Sequence, residues 1–229
     1  SMNGKEVRML IDNGFLWDEL LFFGSPTVDS LGMVYDGEAE VGGSGDGDAV
    51  PAQMASGITI SFPGVEFYDQ TAIITSYSSG VSNMWWGAEG QVSATFLKHF
   101  VVEVNFDSMI LTLTEPDKFE YSGKGVEIPM LHLGRGAWAI PGTLELQDGR
   151  VMDIDLAMDL GDANPLFLVP GGPHDLTAPD KNLPASLGFG VQGEMRGCFG
   201  RVRSATIGGY RIDDIVSAFV DPDYEGQTF

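Results

Sequence analysis

The sequence predicts an all-β protein, and three observations support that prediction. Its 31 glycines and 12 prolines divide the chain into short apolar segments, a pattern typical of strands joined by turns. Polar and apolar residues alternate in FVVEVNF (100–106) and MILTLTE (109–115), and Asp107-Ser108 between them indicates a hairpin. Helical periodicity is confined to WDELLFF (17–23) and QVSATFLKHF (91–100), where we expect two short helices.

Further strands are predicted wherever short apolar runs lie between turn residues. These runs are GITISF (57–62), QTAIIT (70–75), TLELQ (143–147), VMDIDLAM (151–158) and SATIGGYRI (204–212). The stretch EPDKFEYSGKG (115–125) is polar and contains glycine. It therefore predicts a boundary between an N-terminal lobe, 1–118, and a C-terminal lobe, 119–229.

The charge of the chain limits its partners. With 33 acidic and 12 basic residues, the formal net charge is −21 at pH 7, so phosphate backbones and anionic membrane surfaces are repelled. No apolar run approaches the roughly 20 residues that span a bilayer, so neither nucleic acid binding nor membrane insertion is expected. The first residues, SMNGKEV, lack the features of a signal peptide. A periplasmic or secreted location is expected only if a signal precedes them.

Residues that commonly bind metals or cofactors form no recognisable pattern. Cys198 is the single cysteine, and His99, His132 and His174 show no ligand spacing, so we expect no metal and no cofactor. GFGVQG (188–193) fits a dinucleotide fingerprint, but no helical pattern follows it, which favours a glycine-rich hairpin. GSGDGDA (43–49) is rich in glycine and aspartate, yet it lacks the spacing and closing Glu of a calcium loop.

An internal repeat organises the sequence. NGKEVRMLIDNG (3–14) aligns with DGRVMDIDLAMDLG (148–161), and both end in Asp-x-Gly. GGSGDG (42–47) begins 30 residues after Asp12, and GFGVQG begins 29 residues after Asp159. Asp69 and Asp214 follow 57 and 55 residues after the same two aspartates, and we expect them to share a structural role. Landmarks that keep their spacing predict a duplicated unit.

Two similar lobes tend to pack about a pseudo-twofold axis, which brings equivalent positions together. The repeat therefore predicts that Asp12 and Asp159 face each other. Two carboxyl groups within hydrogen-bonding range hold one proton between them. Such a pair offers a base that activates a water and an acid that protonates the attacked carbonyl. This is the chemistry of peptide hydrolysis without a metal or a cysteine.

In the order and spacing of these motifs the chain resembles the pepsin and retropepsin class of aspartic proteases, in particular bacterial retropepsin-like proteins with two lobes in one chain. RMLIDNG (8–14) and LAMDLG (156–161) stand where that family has an apolar strand ending in its catalytic Asp-Thr-Gly or Asp-Ser-Gly. GGSGDG and GFGVQG stand where it has flap hairpins, and residues 87–116 are similar to its late segment. We expect 42–47 and 188–193 to be exposed hairpin tips, because glycine adopts the positive φ of such turns and adds little side-chain packing.

The resemblance implies two-lobed acid-protease barrels about a pseudo-twofold axis and an aspartic endopeptidase acting on peptides or unfolded proteins. It implies a set of site residues: Asp12 and Asp159 as the catalytic pair, Asn13, Gly14, Leu160 and Gly161 as the supporting turns, and Gly43, Gly45, Gly190 and Gly193 in the flaps.

Several departures from the family pattern keep a second function class open. Asn13 and Leu160 replace the hydroxyl residue after each aspartate, and Asp162 adds a negative charge near Asp159. A protein that keeps the cleft but only binds peptide or a protein partner is therefore the alternative, and a divalent-cation site in an acidic cleft is a third. Trp85-Trp86 would line the cleft or pack in the core. The second half lacks a closing hairpin like 100–115, which the chain beyond either end or a homodimer would supply.

Overall fold

The computed structural model describes residues 1–76, 87–134, 136–171 and 175–221. Over these residues the protein is mostly β-sheet, with two helices of four residues each and one short 3-10 turn at 116–118. The strands are β1 (Met9–Ile11), β2 (Leu20–Phe23), β3 (Val34–Val41), β4 (Val50–Phe62), β5 (Val65–Thr75), β6 (Gly90–Val92), β7 (Val101–Asn105), β8 (Ile110–Thr114), β9 (Leu131–Gly134), β10 (Ala137–Glu145), β11 (Val151–Ala157), β12 (Phe167–Leu168), β13 (Leu183–Gly190), β14 (Gly193–Ile207) and β15 (Tyr210–Val220). The helices are α1 (Pro26–Asp29) and α2 (Ala94–Leu97).

The first sheet has the order β1-β6-β2-β5-β4-β3. Strand β1 runs parallel to β6, and β2 runs parallel to β5, while β3, β4 and β5 are antiparallel neighbours. Its main core contains Phe22, Ile58 and Ile60, all with less than 2% of their surface exposed. A second cluster on this sheet holds Phe15 and Leu21.

The segment WDELLFF is not a helix, which corrects the sequence prediction. Leu20–Phe23 form strand β2, and all four side chains are buried. Leu20 and Phe22 are buried in one core cluster and Leu21 and Phe23 in another, so both faces of the strand are covered. A strand covered on both faces is a continuous apolar run rather than an alternating one, and such a run cannot be separated from a buried helix by periodicity alone.

The second sheet has the order β11-β10-β14-β15-β12, with β13 paired to β14 and β9 paired to β10. It repeats part of the first sheet. The shared strand order is β2-β5-β4-β3 in the first sheet and β12-β15-β14-β13 in the second. In both, the first two strands are parallel and the remaining neighbours are antiparallel. Leu20 pairs with Ala72 and Phe167 pairs with Ala218. Strands β2 and β12 each start eight residues after the aspartate of their own half, Asp12 or Asp159. The duplication therefore extends to the register of the strands.

No sheet closes into a barrel in the described part of the chain, so the expectation of closed barrels is not met. The first sheet ends at β1 and β3, and the strand order of the second ends at β11 and β12. Strands β7 and β8 form a separate two-stranded sheet, as the alternation predicts. The region 115–125 carries no element apart from the 3-10 turn.

Two other segments differ from their predictions. Residues 91–100 were expected to be helical, but Gly90–Val92 form β6 and only Ala94–Leu97 are helical. SATIGGYRI is two strands rather than one, because Gly208 and Gly209, both with positive φ, form the turn between β14 and β15. Glycine adopts such backbone angles without steric cost. No helix of the described residues has the length and apolar character needed to cross a membrane.

Candidate active site

The two repeated aspartates lie on turns that follow equivalent strands. Asp12 comes directly after β1, and its backbone N–H donates to Val92 O at 3.1 Å. This bond ties the turn to the end of β6. Asp159 follows β11 by two residues, and the backbone N–H of Met158 donates to Trp138 O at 3.0 Å. Each turn is therefore held by a neighbouring segment of its own sheet.

The two turns approach each other closely and reciprocally. A Cβ atom added at Gly14 would lie 2.5 Å from Oδ2 of Asp159, and one added at Gly161 would lie 2.6 Å from Oδ1 of Asp12. No real side chain fits at that distance, so only glycine allows the approach. The two carboxyl groups lie within hydrogen-bonding reach of each other.

Each carboxylate is also held by the backbone of its own turn. Asp12 Oδ1 accepts hydrogen bonds from the N–H groups of Gly14, at 2.9 Å, and Phe15, at 3.0 Å. Asp159 Oδ1 accepts from the N–H of Gly161 at 2.7 Å. Oxygen Oδ1 of each aspartate is thus fixed by the backbone of its own turn.

Burial and mutual repulsion favour a protonated carboxyl at this site. Burial, followed by the negative charge of Asp159, raises the pKa of Asp12 to about 7, against the lowering effect of the Phe15 and Gly14 N–H groups. Burial is also the largest cause that raises the pKa of Asp159, and the charge of Asp162 adds to it. Two partly buried carboxyls in contact do not both ionise easily. Burial and repulsion therefore favour a proton on the pair at pH values below about 7.

Asn13 joins the two turns. Its side-chain Nδ2 donates to Met158 O at 2.6 Å, and its Oδ1 accepts from the backbone N–H of Leu160 at 2.7 Å. The two bonds lie on either side of Asp159 in the sequence. Leu160 has no polar side chain to return the contact and is 36% exposed. The cross-turn hydrogen bonding by side chains at these two positions is consequently one-sided.

A third carboxylate lies beside the second turn. Asp162 Oδ1 accepts hydrogen bonds from the backbone N–H of Asn164, at 2.8 Å, and from its side-chain Nδ2, at 2.7 Å. Asn164 Nδ2 also donates to Leu187 O at 3.0 Å, so the loop is tied to β13. The negative charge of Asp162 raises the pKa of Asp159, as the sequence predicts.

Both glycine-rich segments form hairpin tips. We call residues 42–49, between β3 and β4, the first tip, and residues 191–192, between β13 and β14, the second tip. Gly43 and Gly45 lie in the first tip, and Gly190 and Gly193 flank the second. The expectation that both are exposed is wrong for Gly45 and Gly190, which are buried, because the two tips contact each other.

Other residues singled out from the sequence lie away from the two aspartates or outside the described residues. His99 and His132 are exposed, and Cys198 is a free, half-buried thiol. Trp85, Trp86 and His174 fall outside the described residues. Among those described, no group of three or more His, Cys, Asp or Glu side chains is arranged to hold a metal ion.

Asp69 and Asp214 occupy equivalent positions, the fifth residue of β5 and of β15. Their φ angles are 54° and 56°, in the left-handed region. The repeat predicts a shared structural role for them, and the shared role is this backbone conformation.

Sequence reasoning missed two residues of the site region. Gln192 bonds across the two tips, and Phe15 belongs to the apolar cluster behind the Asp12 turn. Because Gln192 lies at the tip of a glycine-rich hairpin, the sequence indicates that its side chain can contact another segment. It does not indicate which segment, because that depends on the relative position of the two sheets.

No protein-family model matches this sequence, and no curated protein sequence is significantly similar to it. The function must therefore be argued from the arrangement of the residues.

Proposed function

We propose that this protein is an aspartic endopeptidase of the retropepsin-like class, in which Asp12 and Asp159 share a proton and activate a water against a peptide bond. The observation that carries the proposal is the reciprocal close approach of the two turns, in which each glycine lies against the other turn's aspartate. A close pair of carboxyls in equivalent copies of a repeat is the arrangement that acid–base hydrolysis requires.

The electrostatics of the pair support a division of roles. The raised pKa of Asp12, to about 7, keeps this carboxyl protonated in weakly acidic solution, so we assign Asp12 as the acid and Asp159 as the base. Asp159 removes a proton from water as the water oxygen bonds to the carbonyl carbon, and Asp12 gives its proton to the carbonyl oxygen. The tetrahedral intermediate collapses when the C–N bond breaks, and the nitrogen leaves as an amine after taking up the proton held by Asp159. The intermediate's second hydroxyl returns a proton to Asp12, so both groups end as they began.

The finer architecture belongs to the same proposal. The four-strand order found in each sheet supports two lobes related by a pseudo-twofold axis that passes between Asp12 and Asp159. Residues 1–118 form one lobe and residues 119–229 the other. Under this arrangement, the cleft for an extended peptide lies above the two carboxyls and beneath the two tips. Peptide and unfolded protein are the substrate class.

The test is cleavage of an unfolded polypeptide across pH 3–8, comparing the wild-type protein with Asp12→Asn, Asp159→Asn and the double variant. We expect each single variant to lose activity almost as fully as the double variant, because the two carboxyls act as one unit. Wild-type activity should fall as the pH rises through about 7, where Asp12 loses its proton, and should also fall in acid, where Asp159 takes up a proton. Cleavage that persists in either single variant would reject the mechanism.

A second candidate is a binding protein with the same cleft and no turnover. The observation that favours it is Leu160, which offers no side-chain hydrogen bond to support the second turn. An unfolded polypeptide that binds the wild-type protein without cleavage at any pH from 3 to 8 would select this candidate.

A further inference from the structure

In the first half of the chain, one short strand joins β1 to β2. Strand β6 (Gly90–Val92) runs parallel to β1 on one side and antiparallel to β2 on the other. Val92 O accepts the hydrogen bond from the Asp12 N–H at 3.1 Å. Strand β6 therefore links two strands of the sheet and also holds the first aspartate turn.

The equivalent strands of the second half are β11 and β12. Strand β11 leads into the turn of Asp159 as β1 leads into that of Asp12, and β12 starts at the same distance after its aspartate as β2 does. Within the described part of the chain, β11 pairs only with β10, and β12 pairs only with β15. Each therefore has an edge that its counterpart in the first half uses to pair with β6.

The side chains along these edges are apolar and exposed where their counterparts are covered. Phe22 of β2 is fully buried, whereas Val169, at the equivalent position, is 44% exposed. Ile11 of β1 is half-buried, whereas its counterpart Met158 is 43% exposed. Exposed apolar surface of this kind marks a place where another segment binds.

A segment near the end of the printed sequence matches β6 in its residues. The first half has Glu-Gly-Gln-Val at 89–92, and the second has Glu-Gly-Gln-Thr at 225–228. The tripeptide Glu-Gly-Gln occurs nowhere else in the sequence. The two copies follow equivalent strands, β5 and β15. Residues 222–229 lie outside the described residues, so this match is one of sequence.

We propose that residues 225–228 are the second-half counterpart of β6 and bind between the free edges of β11 and β12. The register of the first half, in which Gly90 pairs with Met9 and Phe22, places Gly226 opposite Leu156 and Val169. Thr228 O then accepts from the Asp159 N–H, as Val92 O does from the Asp12 N–H. The segment holds the second aspartate turn and gives it the same backbone support as the first.

The length and direction of the chain allow this placement. Leu168 pairs with Phe219 in parallel strands, so Val169 and Val220 lie side by side at the next position. Gly226, on the far side of β12, is two strand spacings from Val220, or about 10 Å. The six residues from Val220 to Gly226 reach up to about 20 Å. Because β6 is antiparallel to β2, its counterpart starts at the end of the sheet where β15 finishes.

The shared glycine has a steric reason. A Cβ atom added at Gly90 would lie 2.1 Å from Leu21 O, so β6 approaches β2 only because this residue has no side chain. Gly226 meets the same requirement against Leu168, the counterpart of Leu21. One bond is not repeated, because the Phe23 N–H donates to Glu89 O and Pro170, at the place of Phe23, has no N–H.

Amide hydrogen exchange of the 229-residue protein, followed by NMR, tests the placement. A strand between two others has hydrogen-bond partners on both sides, so we expect the N–H groups of 226–228 to exchange at least about 100-fold more slowly than in an unstructured peptide. The Asp159 N–H should be protected as the Asp12 N–H is. Exchange of 226–228 at the rate of an unstructured peptide would overturn the proposal.

Sedimentation of the same sample identifies the chain that supplies the segment. We expect protection in the monomer, because residues 225–228 reach the edges of their own sheet. Protection confined to a dimer would mean that the segment binds a second copy, and it would overturn the placement within one chain.

The variant Gly226→Ala tests the steric requirement. The added Cβ collides with the backbone of β12, so we expect the N–H groups of Gln227, Thr228 and Asp159 to exchange at least about 10-fold faster. The Asp12 N–H is the internal reference and should not change. In the control Gly37→Ala the new Cβ makes an ordinary contact with Met54, and all of these rates should stay the same. Unchanged exchange in Gly226→Ala would contradict the proposal.

These readouts are separate from hydrolysis, because the pairing of 225–228 follows from the internal repeat. Protection of 226–228 in a protein that cleaves no polypeptide retains the strand and removes the proposed function. Cleavage that depends on Asp12 and Asp159, in a protein whose residues 226–228 exchange freely, retains the function and removes the strand.

Discussion

The side chain of Asn13 accepts a hydrogen bond from the backbone N–H of Leu160 at 2.7 Å, and the same amide donates to Met158 O at 2.6 Å. A single side chain of the first turn therefore fixes the backbone on both sides of Asp159. An amide can do this alone because it carries a donor and an acceptor at its end. Leu160, at the equivalent position of the second turn, makes no reciprocal bond. The side-chain hydrogen bonding between the two turns therefore comes from Asn13.

The first prediction concerns this clamp. Asn13→Asp keeps the acceptor and removes the donor to Met158 O, and it places a carboxylate against that carbonyl. We expect the free energy of unfolding at pH 7 to fall by about 1–3 kcal/mol and kcat/KM for an unfolded polypeptide to fall by about 10–100-fold. Activity should recover toward pH 4, where the new carboxyl is protonated and can donate again.

Asn3 provides a matched control for that variant. Its Nδ2 donates to Leu31 O at 2.9 Å, and its Oδ1 accepts from the Thr59 N–H at 2.7 Å, within the first sheet. Asn3→Asp should lower stability by a similar amount and leave the pH profile of cleavage unchanged. If both variants lose activity only in proportion to their stability, Asn13 has no positioning role.

The sequence predicted the parts of the site that depend on local chemistry. The Asp-x-Gly turns and the two glycine-rich hairpins are encoded by neighbouring residues, and the structure has turns and hairpin tips at those places. The contact of Gln192 with Gly43 and Gly47 was not predicted, because it joins segments about 145 residues apart. The geometry of this contact depends on the relative position of the two halves of the chain, and the hydrophobic periodicity of the sequence carries no information about that position.

The second prediction tests the close approach of the turns. Gly14→Ala or Gly161→Ala places a Cβ within about 2.6 Å of the opposite aspartate, so the carboxyls must separate. We expect a loss of about 1–3 kcal/mol in the free energy of unfolding and at least about a 100-fold loss in kcat/KM. In Gly37→Ala the new Cβ meets Met54 Cβ at 3.6 Å, an ordinary contact, and activity should be retained. Full activity in either turn variant would contradict the close approach.

The limits of prediction for the fold have a similar physical origin. Strands such as β7, β8 and β11 were predicted because polar and apolar residues alternate along each of them. Strand β2 was predicted as a helix because its burial on both faces leaves no alternation to detect. The side chains that bury its two faces include Ile58 and Ile73, which lie far along the chain, so this burial is again a long-range property.

The third prediction concerns the equivalent positive φ angles of Asp69 and Asp214. A side chain with a Cβ is strained in this conformation and glycine is not. We expect Asp69→Gly to raise the free energy of unfolding by about 0.5–1 kcal/mol and Asp69→Ala to lower it by about the same amount. Asp214 should give the same signs, although its exposed ion pair with Arg201, at 2.9 Å, offsets part of the gain from glycine. As a control, Asp153→Gly, in the regular strand β11, should lower the free energy of unfolding. If Asp69→Gly also lowers it, the shared role of Asp69 and Asp214 is refuted.

The last prediction follows from the proton held by Asp12. Its pKa is about 7 in the folded protein, against an ordinary value of 3.8 in an unfolded chain, so the folded state binds the extra proton between these pH values. The stabilisation is complete below pH 4 and is lost as the pH rises through 7, by up to about 4 kcal/mol.

Asp12→Asn removes this titration and keeps an oxygen for the Gly14 and Phe15 N–H groups. Urea unfolding of the variant should therefore lack the decline that the wild-type protein shows from pH 4 to pH 8, and the variant should be the more stable protein at pH 8. Repulsion within a chain of net charge −21 also grows with pH, but it acts on both proteins, so the difference between their curves isolates Asp12. Asp153→Asn, at an exposed position of β11, should follow the wild-type curve. Parallel curves for the wild-type protein and Asp12→Asn would mean that Asp12 is already ionised in the folded protein at pH 4, and that the pair does not hold the proton on which the hydrolytic mechanism depends.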